Sequence, residues 1–356
     1  MDSTKQDEMT QEARFAEAIR QTAPGTALRV ALDMIIAGQL GALICVGDTE
    51  NVLAAGNDGF PLNISFTANR LFELSKMDGA IVIDKDLTQI LRANFHLNPD
   101  PTLPTSETGM RHRTAARMSL LTDALVISVS QRRHIVNVYL GGRSFQLRPV
   151  PEIMTSTNQL LATMQATRQS LDKQLLHLTS LELDNFVTLS DITTIFSLFE
   201  LLMAADADLV FCINQLGSQD RAVAMQRKEL MGNLDDVYTL MIRDYAQDSS
   251  PAHANEIRQM LTEASAGQPL QAQDVARALG YEQITSESIM APLGLRTLSR
   301  ISVVRDGMAD KIVDEYGGLR KLVDDLEQSY ARLDELGIAN PTILVDSLYR
   351  MWGKKE

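Results

Sequence analysis

Two short stretches hold the side chains best suited to chemistry. Asp78 and Gly79 stand in KMDGAIVID, residues 76–84, and Arg111, His112 and Arg113 stand in a row in GMRHRTAARMS, residues 109–119. The first places a carboxylate and a conformationally free glycine immediately before an Ile/Val run, so a tight turn delivers the carboxylate to the start of a strand. The second crowds positive charge onto the beginning of a helix. Cations there lie on the positive end of the helix dipole and repel one another unless an anion sits among them. First-turn N–H groups, guanidinium forks and a glycine at 109 that admits a ligand close to the main chain together suit a polyphosphate. A lone Asp-Gly is in itself only a turn, and a short cationic run only a solvated helix start. The two motifs together, with Asp78 and Arg111 separated by 33 residues, are far more specific.

The elements that must position these residues are legible in outline. Residues 12–38 read as helix on either side of a Pro24-Gly25 break, with Leu28, Ala31, Leu32, Ile35 and Ile36 at three- and four-residue spacing. Between 41 and 150 come short apolar runs bounded by Gly, Asp and Asn: GALICVG, AIVID, ILRANFHL, ALVISVS, HIVNVYL and RSFQLRPV. Their length and Ile/Val content predict strands of a largely buried sheet, with helices in ISFTANRLFELSKM and HRTAARMSLLTD. Residues 1–150 are therefore expected to be an α/β domain. From 151 to 289 the texture is that of an all-α spine, with Leu160, Met164, Leu171, Leu175 and Leu178 in helical rhythm. A polar, Pro-containing break is expected at 247–255 and a last linker at LGYEQITSESIMAPLGL, leaving a small all-α module over 290–356.

Composition narrows the function. The chain has 356 residues, 45% hydrophobic and 22% charged, which is a globular composition large enough for two or three domains. Its formal charge of −13 is uneven: −1 over 1–150, −11 over 151–289 and −1 over 290–356. The acidic middle argues against nucleic acid lying along the spine and leaves the two ends as the places for phosphate. Cys45 and Cys212 each sit in an apolar run and read as buried hydrophobes, with neither a disulfide nor a zinc site expected. The first residues are polar and acid-rich, and no run approaches the roughly 18 apolar residues of a membrane span. A cytoplasmic protein with no membrane partner is expected. There is no G-x-x-x-x-G-K-[ST], no kinase-type glycine loop and no G-x-S-x-G.

The run FTANRLFELSKMDGAIVID, continued by ILRANFHLNPDPTLPTSETGMRHRTAARMSLLTDALVISVSQRRHIVNVYL, resembles the diadenylate cyclase (DAC) domain family. The layout of essentially the whole chain is similar to the DNA-integrity-scanning members of that family. These join the cyclase domain, a mixed sheet flanked by helices, to a helical spine and a helix-hairpin-helix module. The resemblance implies condensation of two ATP molecules into cyclic di-AMP with release of two pyrophosphates. It implies a homo-oligomer, an octamer, in which cyclase domains face each other and each 3′-hydroxyl attacks the α-phosphate of the other ATP. Asp78 would be catalytic and would hold Mg²⁺ or Mn²⁺. Gly79 would let the main chain approach the nucleotide, Leu97 would line the adenine pocket, and Arg111, His112, Arg113 and Thr114 would hold phosphates. Met110 stands where the family usually has Thr, which removes a hydroxyl and keeps the backbone N–H. Ser128 and Ser130 are weaker members of the set, and His96 and His134 are expected to be strand or surface residues.

In the last module ARLDELGIANPTILVDSLYRM, residues 331–351, resembles the family's second hairpin, with Gly337-Ile338-Ala339 at the DNA-binding turn. Ala339 replaces the second glycine and adds a Cβ where backbone should meet phosphate. DNA, branched or bound without sequence preference, is the expected partner and modulator there. The alternative is a DNA-structure sensor whose DAC domain binds nucleotide with little or no turnover. A purely structural oligomer has no use for Asp78, Arg111 and Arg113.

Overall fold

The computed structural model describes residues 13–217, 220–305, 307–326, 331–338 and 340–353. The chain divides into two compact units, one of residues 1–158 with 210–224 and the other of 159–209 with 225–356.

The first unit is built on a mixed sheet. Helices α1 (13–21) and α2 (Ala27–Ala37) precede β1 (Ala42–Val46), α3 (Thr49–Ala54), β2 (Gly56–Asn57), β3 (Phe60–Ser65), α4 (Ala68–Leu74), β4 (Ala80–Ile83) and β5 (Gln89–Leu97). Then come α5 (Met110–Leu121), β6 (Leu125–Ser130), β7 (Ile135–Leu140) and β8 (Arg143–Leu147). The strand order is β2-β5-β4-β1-β6-β7-β8, with β3 also on β5. Only β1 and β4 run parallel; the other named pairs are antiparallel. β1 and β4 are buried along their whole length, which is why they read as unbroken Ile/Val runs. Alternate residues feed two cores. Ile44, Ile83 and Ile127 meet Leu28, Leu32 and Ile35 of α2 and Leu71 of α4. Cys45, Val82 and Val126 meet Val52 of α3 and Ala115 and Met118 of α5 on the other face. Burial pushes the Cys45 thiol up to about 12, so it behaves as a small hydrophobe, and both cysteines are free.

Two expectations need correction. Ile64 and Ser65 belong to β3, and the helix starts only at Ala68, because the Thr67 hydroxyl accepts from the Arg70 N–H and caps it. The break expected through residue 255 ends sooner: α10 (Pro251–Ser265) begins at Pro251 behind Ser250, whose hydroxyl accepts from the His253 N–H. Proline at the first helical position costs no intrahelical hydrogen bond.

The second unit draws on two long helices, α6 (Val150–Asp184) and α7 (Leu189–Leu216), and on α8 (Arg221–Met231), α9 (Leu234–Tyr245), α10 and α11 (Ala272–Ala278). The chain ends in α12 (Leu295–Ser299), α13 (Met308–Tyr316), α14 (Leu319–Leu326), α15 (Ala331–Glu335) and α16 (Pro341–Trp352). One apolar cluster joins Leu295, Ile312, Leu322, Leu344 and their neighbours to Leu183 of α6, so the position 289/290 lies inside this unit. A buried polar knot fastens α12 to the spine. Asp244 accepts from the N–H groups of Gly294 (2.8 Å), Leu295 (2.6 Å) and Arg296 (3.0 Å). Glu182 accepts from Arg296 Nη2 (2.7 Å), the Thr297 hydroxyl (2.8 Å) and the Tyr245 hydroxyl (2.7 Å). Among the described residues no helix is long and apolar enough to cross a membrane.

Candidate active site

The Asp78-Gly79 turn joins α4 to β4 and is held from behind by β5. Gly79 has φ +86°, and a Cβ there would lie 2.7 Å from the carbonyl carbon of Asn94, so backbone packing and conformation both demand glycine. Asn94, itself at φ +52° where β5 slips register against β4, donates from Nδ2 to the Asp78 carbonyl at 2.8 Å. The turn is thus fixed while its carboxylate points outward: the Asp78 side chain is 94% exposed, and its nearest cation is Arg111 Nη2 at 3.9 Å.

Arg111 comes from the first turn of α5. Gly109 is the N-cap in extended conformation, with no side-chain cap and no acidic residue in the first turn, so the leading N–H groups are uncapped. The guanidinium lies against Gly41, just before β1, where a Cβ would stand 2.5 Å from Nη1. Gly41→Ala should displace the guanidinium, whose flexible end can move, while the Val129 carbonyl oxygen, 3.3 Å from that Cβ, has to yield by only a few tenths of an ångström. On the expectation that Arg111 holds phosphate, losing charge-assisted contacts worth about 1.5–3 kcal/mol predicts a KM for nucleotide raised roughly tenfold or more, with the protein still folded.

Asp78, Gly79, Leu97, Met110, Arg111, His112 and Thr114 all line one cavity of about 600 Å³, together with Leu43, Phe95 and Val129. Arg113 is exposed and lies outside its wall, since two residues along a helix turn the side chain about 200° from Arg111. The Met110 side chain is 77% exposed at the rim. His96, Ser130, Gln131 and Arg132 also border the cavity. His134 lies in the β6–β7 turn at φ +53°. Ser128 is fully buried in β6, and its hydroxyl has no partner among the described residues.

His112 is held more tightly than the sequence suggests. Its Nδ1 is 3.0 Å from the Tyr139 hydroxyl on β7, and that hydroxyl donates to Glu107 Oε1 at 2.8 Å. Partial burial, together with Arg133 and Arg111 and against the pull of Glu107, lowers the His112 pKa below its ordinary value. Tyr139 is raised, first by burial. Neither Glu107 nor Tyr139 was a candidate: a Glu in a Pro-rich loop and a Tyr in an apolar strand carry no signal until the fold joins them.

For a divalent metal the cavity wall offers one carboxylate among the described residues, that of Asp78. No three His, Cys, Asp or Glu side chains among those residues form a metal cage. One carboxylate plus substrate phosphates is how Mg²⁺ is commonly held.

At the other end of the chain, Gly337 has φ +78° and open space beside it, and Ile338 is buried in the module's core. Ile338 can therefore offer a ligand only its main chain. Ala339 lies outside the described residues.

The comparisons agree with this layout. Residues 29–144 match the family model described as "DisA bacterial checkpoint controller nucleotide-binding", and 147–288 match that of the "DisA bacterial checkpoint controller linker region". The DNA integrity scanning protein DisA of Symbiobacterium thermophilum is 36% identical over 343 residues, covering 96% of this chain and 97% of that one. Its counterpart in Acetivibrio thermocellus is 36% identical over 99% of this chain and 96% of its own. That of Streptomyces coelicolor is 34% identical over 94% and 91%. With its Asp-Gly turn and Arg-His-Arg helix start opening on one cavity within the matched nucleotide-binding region, the chain belongs to the DisA family of diadenylate cyclases.

Proposed function

We propose that the chain condenses two ATP molecules into cyclic di-AMP and two pyrophosphates at the cavity between the Asp78 turn and α5. The observation that carries this reading is the convergence of Asp78, Arg111, His112, Thr114 and the uncapped N–H groups of α5 on one cavity. The triphosphate lies at the helix N-terminus, where Arg111 and the first-turn N–H groups counter its charge. Leu97, with Leu43 and Phe95, gives the base an apolar wall. Asp78 would hold Mg²⁺ or Mn²⁺, whose chemistry there would be to neutralise charge at the reacting phosphate. Asp78 positions the attacking 3′-hydroxyl, and Gly79 keeps the approach clear.

Because Asp78 and Arg113 are turned to solvent, the site is open toward a second nucleotide site. Facing cyclase domains in a homo-octamer, in the cytoplasm, are the assembly that supplies it. The parts are a cyclase domain over 1–150, a spine over 151–289 and a helix-hairpin-helix module over 290–356. This module contacts branched or non-specific DNA through the Gly337-Ile338-Ala339 turn and modulates the cyclase. Purified protein incubated with ATP and Mg²⁺ or Mn²⁺ should yield cyclic di-AMP, identified by chromatography and mass. ATP binding without product would select the second reading, nucleotide sensing coupled to DNA.

The lowered His112 pKa makes a further prediction. The free imidazole is neutral at pH 7, and a triphosphate beside it favours the cation, so binding takes up a proton. Affinity for ATP should rise as pH falls from neutrality toward the free-state pKa, which lies below about 6.5. Calorimetry in buffers of different ionisation enthalpy reads the uptake directly, and His112→Gln should abolish its protein-dependent part.

A further inference from the structure

We propose that Tyr139 and Glu107 are positioning residues for the reaction at this site, fixing His112 in the Nδ1–H form with Nε2 turned toward the nucleotide's phosphates. The inference rests on the cyclase reading for its kinetic part and on geometry for the rest.

Proton accounting sets the direction of the chain of hydrogen bonds. A carboxylate accepts and does not donate, so the single phenolic proton of Tyr139 goes to Glu107 Oε1 at 2.8 Å. The phenol oxygen must then accept at its other contacts. It receives Asn137 Nδ2 at 3.4 Å and leaves His112 Nδ1, at 3.0 Å, as a donor. Nδ1 therefore carries a proton, and Nε2 is the nitrogen left for a ligand. The ring's other edge has a defined place too: a Cβ at Gly109 would meet His112 Cδ2, the carbon bonded to Nε2, at 3.2 Å. That edge lies beside the N-cap of α5, where the anion site is. Tyr139 is 3% exposed on β7, paired on both sides by β6 and β8, and Glu107 is in the loop leading into α5. The same loop is tied to the helix by Arg117 Nε donating to the Leu103 carbonyl at 3.0 Å. The relay thus links the ring, the loop and the sheet.

With Nδ1–H occupied, the ring can hydrogen-bond phosphate only by gaining a proton at Nε2, which gives the phosphates a full positive charge. Without the relay, a neutral Nε2–H ring could donate, with less charge to offer where it builds up in the transition state.

The test uses the full chain. Solid-state NMR of ¹⁵N-histidine-labelled protein, with His112→Gln assigning one of the five histidines, reads the tautomer. Steady-state kinetics with ATP and Mn²⁺ are run alongside. Wild type should show a protonated Nδ1 and a bare Nε2. Tyr139→Phe keeps the shape and should release the tautomer, lowering kcat about ten- to a hundredfold, as loss of a ligand-orienting partner does. Its KM should stay within about threefold. Glu107→Gln still offers an acceptor oxygen and should keep both tautomer and rate, whereas Glu107→Ala should lose both. A protonated Nε2 in the neutral wild-type ring overturns the proposal even if a variant fails to fold. So does a folded Tyr139→Phe with unaltered kcat, or one with lowered kcat and an unchanged tautomer. A wild type that makes no product, whatever its tautomer, overturns the cyclase reading and with it the kinetic role of the pair.

Discussion

Asp78→Asn should make no measurable cyclic di-AMP, a loss on the order of 10²–10³-fold or more, and should remain as stable as the wild type. The reasons separate cleanly. The side chain is 94% exposed, and its one ion-pair contact is a 3.9 Å approach to Arg111, so replacing a carboxylate by an amide of the same shape disturbs no packing. A surface change of that kind shifts stability by within about 0.5 kcal/mol. Among the described residues the cavity wall loses its one carboxylate, and on the reading that Asp78 holds a divalent ion the anchor for that ion goes with it. The variant should bind metal-free ATP at least as well as wild type, because a negative charge beside the triphosphate has gone. It should lose the increment in affinity that Mg²⁺ or Mn²⁺ adds. Calorimetry with and without metal, beside the product assay, separates the effects. Full turnover by Asp78→Asn would remove Asp78 from the mechanism.

Arg296→Met should be the most damaging single change in the second unit. Arg296 and Glu182 are 2% and 0% exposed in their side chains, and the guanidinium pairs with Glu182 at 2.7 Å while its charge also lowers the pKa of Asp244, which holds the Arg296 main-chain N–H. Removing one partner of a buried ion pair costs about 3–5 kcal/mol, because the charge left behind is desolvated and unpaired. The loss should depend on pH. Burial, reinforced by Glu182, pushes Asp244 up to about 7, against Arg296 and the backbone N–H bonds that pull it down. Its folded pKa is above its unfolded value, so the proton is held more tightly in the folded state. The stability this contributes is present at low pH and is lost as pH rises through about 7. Without Arg296 the pKa rises further, and the loss between pH 6 and pH 8 should be steeper than in wild type. Urea unfolding followed by circular dichroism at those two pH values measures it. A variant within about 1 kcal/mol of wild type at pH 8 would show that the knot is solvated on opening and that the ion pair contributes little.

Short apolar runs rich in Ile and Val, separated by helical patterns, were enough to predict the α/β class of the first 150 residues. β1, β4 and β6 are buried on both faces and so announce themselves as Ile/Val runs. β3 did not, because Pro61 and Asn63 interrupt its pattern and it lies at the sheet's margin, paired only with β5. The helix start at Gly109 and the turn at Gly79 were equally plain, since the glycines and the charges beside them are local features. Local signals could not separate Arg111 from Arg113. They are neighbours in the motif, yet only one faces the cavity, and which one depends on the angle at which α5 packs on the sheet through Ala115 and Met118.

By itself, then, the sequence determined the class of the first domain and the helical spine, and it marked two motifs as candidates for polyphosphate chemistry, because each is written in residues near one another along the chain. Only the tertiary structure decided what stands behind those motifs. Gly41 makes room for Arg111, Asn94 braces the Asp78 turn, Tyr139 and Glu107 orient His112, and Arg296 is held by its guanidinium on Glu182 and by its main-chain N–H on Asp244. These partners are 16 to 114 residues apart where a hydrogen bond joins them. A side chain that acts by supporting another has no preferred spacing from it in sequence. Its role is fixed by where strands and helices cross, and that is set by the packing of the whole core.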